Sequence, residues 1–201
     1  RRRANQNVRN GEIIMALTLI STPLNISTSD TAVSSVDITS GITSSYDSYE
    51  FHCINMYPQT NNVNFCFQVN ADGASGFDEA VTSSSFRAYH KEDGSSGTLA
   101  YDANSDQATT DGNGVYQRIF STGTGDDADQ CVSGKLTLYA PSSPTYVKHF
   151  TAVGNGTDHG EFTVTSHTAG YINTTTAIDE ISFKFDSGNI EAGTIRIYGV
   201  S

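Results

Sequence analysis

With 201 residues, a net charge of −11 and only 16% of residues charged, the chain can bury one substantial core, and its field repels phosphate backbones and anionic lipid headgroups. Broad nucleic-acid binding and membrane-surface binding are therefore disfavoured as functions. Polarity comes instead from 24 Ser and 24 Thr, turn and strand formers respectively, which is the composition of a loop-rich β protein.

Residues 1–14 form a basic leader of charge +3 ahead of a body of charge −14. The apolar run at 13–20 (IIMALTLI) is too short to span a bilayer, Glu12 abuts it, and the following STPLNIS offers no small-x-small cleavage site. Gly11-Glu12 shortly before Met15 is what a purine-rich ribosome-binding sequence would encode if translated in frame. The expected native chain begins at Met15, with 15–201 a single domain. The segment 15–24 is either the first strand of its own sandwich or a strand added to a neighbouring sheet edge.

Short alternating or continuously apolar runs bounded by Gly, Asn, Asp and Ser predict about eleven strands, at 16–20, 32–38, 46–57, 63–71, 85–90, 115–121, 132–140, 146–153, 162–166, 178–185 and 194–200. The pattern is that of a single all-β, antiparallel sandwich, and no long amphipathic helix is expected. Val63, Phe65, Phe67 and Val69 alternate with Asn64, Cys66, Gln68 and Asn70, so one face packs inward and the other meets water or a partner. Ile181, Phe183 and Phe185, followed by Ile195 and Ile197, do the same, and these two regions should centre the core. The turn Asp186-Ser187-Gly188-Asn189 is expected to pair 194–198 with 181–185, with positive φ at Gly188 and a bulge or close approach at Gly193. Segments 91–114 and 122–130 are the longest expected loops.

Chemical motifs are sparse. The chain has no G-x-S-x-G elbow, H-E-x-x-H pair, P-loop or strand-linked G-x-G-x-x-G. Cys53, Cys66 and Cys131 are too few for a disulfide framework. Cys53 and Cys66 could face each other across a hairpin turning at 58–62, although buried free thiols suit them better. Of five histidines, His149 and His159 are the pair that could meet across a turn. Asp102, Asn104 and Asp106 match the first three ligand positions of an EF-hand loop, but Gln107 and Asn113 stand where Gly and Glu are needed. A second acidic cluster, Asp126, Asp127 and Asp129, offers looser cation geometry. Tyr89, Tyr101 and Tyr116 lie near the long loops, where they could stack against sugars in a chain without Trp. A carbohydrate-binding sandwich, with calcium assistance, is thus the alternative to an assembly protein.

The runs 45–51 (SYDSYEF) and 54–58 (INMYP), the strand 63–70, the segment 86–89 (FRAY) and the ending 181–200 (ISFKFDSGNIEAGTIRIYGV) resemble the β-rich virion proteins of tailed bacteriophages. In those proteins an ending F-x-S-G-x-I-x-x-G-T-I-x-x-Y-G closes a jelly-roll-like domain. The resemblance implies a non-enzymatic structural protein of the capsid decoration or tail-fibre type, without a cofactor. It further implies a homo-oligomer, a trimer in particular, contacting other virion proteins, assembled in the host cytoplasm and resident in the virion. It brings no catalytic residue with it.

Overall fold

The computed structural model describes residues 16–109 and 114–201, together with two short strands ahead of them. These two, β1 (Val8–Arg9) and β2 (Glu12–Ile13), pair with each other; the expectation for the remainder of the leader lies outside the described residues. The other strands are β3 (Leu17–Leu19), β4 (Leu24–Ile26), β5 (Val36–Ile38), β6 (Ser48–Pro58), β7 (Phe65–Ala71), β8 (Val81–Lys91) and β9 (Gly97–Tyr101). They continue with β10 (Gln117–Arg118), β11 (Val132–Tyr139), β12 (Lys148–Thr157), β13 (Phe162–Ile172), β14 (Ile178–Phe185) and β15 (Ile190–Val200). All pairings are antiparallel.

Two sheets stack into a sandwich. The larger runs β3-β15-β6-β11-β12-β13-β8-β9, with β4 also on β15; the smaller runs β10-β7-β14-β5. Apolar alternation decides which residues point between them: Phe65, Phe67, Ile181, Phe183 and Phe185 from the small sheet meet Tyr49, Phe51, Leu136, Leu138, Phe150, Ile195 and Ile197 from the large one. Phe51 lies 5.6 Å from Phe183 and Phe67 lies 5.1 Å from Phe150 between ring centroids, so tilted and edge-on aromatic pairs tie the layers together. Of the segment 15–24, Leu17–Leu19 forms β3, which pairs with β15 at the edge of its own sheet.

The long strand β6 keeps its apolar residues inward by a bulge. Tyr49, Phe51 and Cys53 face the core, Asn55 takes φ of 50°, and the extra residue resets the alternation so that Met56 is buried as well. Asn tolerates this left-handed conformation better than most residues. On the neighbouring strand the register shifts again around Gly193, whose φ is 146° and where a Cβ would stand 2.6 Å from Met56 Sδ. The bulge expected at Gly193 is therefore present.

Several expectations need correction. The turn at 186–189 does not fold β15 onto β14. Gly188 has the expected positive φ, but the chain crosses from the small sheet to the large one, where β15 pairs β6 while β14 pairs β7 and β5. Asp186 directs this crossing: its carboxylate accepts hydrogen bonds from the Asn64 backbone (2.9 Å) and side chain (2.7 Å). Likewise 58–62 joins β6 to β7 across the layers, so Cys53 and Cys66 lie in different sheets, buried and free. The expected loop 91–114 contains β9, returned against β8 by a tight turn in which the Gly94 amide donates to the Lys91 carbonyl. The expected strand 115–121 shrinks to two residues because the chain leaves the sheet edge: Ile119 and Phe120 are buried, and Ser121 donates from its amide to Ser166 of the opposite sheet.

Candidate functional site

The outward face of the small sheet, expected from its alternation to meet water or a partner, is buried along β7 beneath the chain's own loops. The described residues at 72–80, 104–109 and 114–118 flank it, and Gln68 donates from Nε2 to the carbonyls of Glu79 (3.0 Å) and Val115 (2.9 Å). Between these coverings and the sheet edge lies a half-open cleft of about 320 Å³, walled by Asn104 to Gln107, Val115 and Tyr116 and floored by Cys66, Arg118, Lys184 and Asp186.

The side chains of this cleft are positioned by a chain of contacts. Tyr116 donates its hydroxyl to Ser182 Oγ (3.1 Å), which donates to Asp37 Oδ1 (2.6 Å), fixing the ring against β14. Lys184 Nζ sits 4.0 Å from the centre of that ring, in cation–π geometry. Arg118 is 3.7 Å from Asp186, whose oxygens are already engaged by Asn64. Gln107 donates from Nε2 to the Tyr116 carbonyl (2.9 Å), and its Oε1 is buried without a hydrogen-bond partner among the described residues. Burial, then the charges of Asp37 and Cys66, outweigh the Ser182 hydrogen bond and raise the Tyr116 hydroxyl above its usual pKa. Burial also pushes the Cys66 thiol far up, making it a poor nucleophile.

The residues named from sequence are only partly gathered here. Asn104, Asp106 and Tyr116 line the cleft. Asp102 does not: its buried carboxylate accepts from Ser105 Oγ (3.0 Å) and the Asn104 amide (3.2 Å) and lies 3.5 Å from Arg87. Asp106 accepts from Tyr101. The three therefore do not converge as calcium ligands, and no group of three or more His, Cys, Asp or Glu suited to a metal is found among the described residues. Asp126, Asp127 and Asp129 are exposed in their loop. Tyr89 lies away from the cleft, edge-on to Phe162 at 5.5 Å. His149 stands near the start of β12 and His159 beyond its far end, separated by a whole extended strand. Sequence reasoning missed Lys184, Arg118 and Gln107. Lys184 alternates with Phe183 and Phe185 and so reads as outward, but the loop that walls it in comes from about 70 residues earlier.

A second surface is the outer face of the large sheet. Register places Phe86, His167 and Val153 in one row across β8, β13 and β12, with Tyr101 of β9 next to Phe86. Phe86 and His167 are stacked, 5.0 Å apart and 4° from parallel. Leu99 is 70% exposed, Tyr101 62% and Phe86 49%. No Asp, Glu, Lys or Arg stands at an outward position of β12, β13, β8 or β9. The charges of these strands point the other way, as with Lys148, which is wholly buried, and Arg87.

No family model, curated protein or solved structure matches the chain.

Proposed function

We propose that this protein is a virion structural component of the tailed-phage type, decorating a head or belonging to a tail-fibre apparatus, and that it works by assembling with copies of itself on a repeating surface. The observation that carries this reading is the uncharged outer face of β12, β13, β8 and β9. On a chain with 22 acidic and 11 basic residues, four adjacent strands free of outward charge and bearing Phe86, Leu99 and Tyr101 form the kind of patch that marks an interface. Two like-charged copies would meet there without opposing charges, and the stacked Phe86–His167 pair offers a preordered contact that loses little side-chain freedom on docking. Many weak contacts of this kind add up on a lattice, since each copy is held by several neighbours. The resemblance of the 181–200 ending to phage virion proteins supplies the biological setting and favours a trimer.

Size-exclusion chromatography with light scattering tests the reading. A homo-oligomer is expected, while a monodisperse monomer over a wide concentration range contradicts it.

A further inference from the structure

The large sheet ends at β9, and that edge is open in a way the other edges of the two stacked sheets are not. β3, β4, β5 and β10 edge their sheets with two or three residues each, and Asp37 of β5 and Arg118 of β10 add a charge there. β9 runs for five residues, Gly97-Thr98-Leu99-Ala100-Tyr101, with no charge, proline or bulge to discourage pairing. Its register fixes which backbone groups are free. The Lys91 amide donates to the Ser96 carbonyl (2.8 Å) and the Asp102 amide to the Ser85 carbonyl (2.9 Å), both in register with Phe86 opposite Tyr101. Bonded and non-bonded pairs alternate along an antiparallel ladder, so Thr98 and Ala100 bond to β8, whereas Gly97, Leu99 and Tyr101 turn their N–H and C=O groups away from it. Those groups have no partner among the described residues.

The edge is also self-complementary. About a two-fold axis at Leu99, two antiparallel copies set Leu99 against Leu99 and Gly97 against Tyr101 on either side, and each of these pairs exchanges both backbone hydrogen bonds. The bulkiest side chain of the strand then faces the residue that has none. Neither copy sets a charge opposite a like charge, although each carries a net −11. Phe86, Leu99 and Tyr101 stand on one face, so the joined sheets carry an apolar strip across the seam, continuous with the uncharged outer face.

We propose that β9 pairs edge to edge with β9 of a second copy, antiparallel about Leu99, so that two large sheets become one. The inference rests on the self-assembly reading and adds to it: a single self-complementary contact stops at a pair, and a second on another part of the surface links pairs into an array.

Amide hydrogen exchange read by NMR on dilute and concentrated protein, with light scattering fixing the state of each sample, tests this. In the monomer Thr98 and Ala100 should exchange slowly and Gly97, Leu99 and Tyr101 fast, and on assembly the latter three should slow by about tenfold or more. Leu99→Pro removes an amide that points away from β8, so the subunit keeps its ladder. It should weaken association about tenfold more than Leu99→Ala, which removes the side chain and keeps the amide. Fast exchange of the three amides in an assembled sample, slow exchange of them in the monomer, or equal effects of the two substitutions would overturn the edge pairing and leave the assembly reading standing. A chain that stays monomeric at every concentration would overturn both. The exchange pattern of the wild type decides the matter even if the Leu99→Pro chain fails to fold.

Discussion

Lys148 shows how a single buried charge is made tolerable. Its Nζ is directed inward and donates to the carbonyls of Ser143 (2.6 Å), Tyr146 (2.9 Å) and Thr174 (3.4 Å), closing the end of the sandwich where β12 begins. Burial lowers its pKa, but the three carbonyl oxygens provide partners for all three protons. Lys148→Met keeps the stem and strands the carbonyls, so a loss on the order of 3 kcal/mol is expected in urea unfolding. Glu50 carries a pH dependence of its own. Burial raises its carboxyl pKa, but hydrogen bonds and charge from His52 and Lys135 outweigh this and leave it lowered. A carboxyl that is more acidic folded than unfolded contributes stability above its unfolded pKa and loses it as the pH falls through the folded value. Glu50→Gln should therefore flatten the acid limb of the melting temperature against pH, by a modest amount because the Lys135 partner is about half exposed.

Among the elements, β14 is the one on which both layers depend. It sits between β7 and β5, and Phe183 touches Phe51 across the sandwich and Phe65 alongside, so Phe183→Ala is expected to cost roughly 3–5 kcal/mol. That β14 and β7 form the core was legible in the sequence, because period-two alternation at 63–69 and 181–185 admits one arrangement of side chains. Their partners were not legible. The Asp186–Asn189 turn has the composition of a hairpin, and contacts distant in sequence, Asp186 with Asn64, Asn189 with Gln59 and Ile190 with Val33, hold the chain as it passes into the other sheet. The strand β9 escaped notice because Gly97 and the short GTLAY run lie in a polar stretch and are held only by pairing with β8. The cleft was half legible for a similar reason. Asn104, Asp106 and Tyr116 stand in loops whose composition draws attention, whereas Arg118 and Lys184 look like ordinary outward strand residues until the fold brings Asn104 to Gln107 and Tyr116 beside them. At the same scale, β8 and β9 carry the exposed apolar residues of the proposed interface. The double substitution Phe86→Lys with Leu99→Lys places charge on a surface that has none and should dissociate the oligomer. Neither side chain is buried within the subunit, so the fold of the separated subunits should be unaffected.

For the molecule as a whole, a net charge of −11 coexists with one sheet face, across β12, β13, β8 and β9, whose outward positions carry no charged residue. In the proposed assembly, the excess of negative charge would disfavour contacts between copies elsewhere and leave the face whose outward positions carry none as the one for them to meet. The polar cleft lies on the other sheet, but its wall reaches the rim of that face, where Asp106 accepts a hydrogen bond from Tyr101. The claim on which this picture rests is that the outer face of β12, β13, β8 and β9 is buried between copies. Hydroxyl-radical footprinting of the protein, dilute and concentrated, addresses it directly. Phe86, Leu99, Tyr101 and His167 should become protected on concentration while Tyr146, 71% exposed in the connection between β11 and β12, stays reactive. Unchanged reactivity of all five at both concentrations would contradict it.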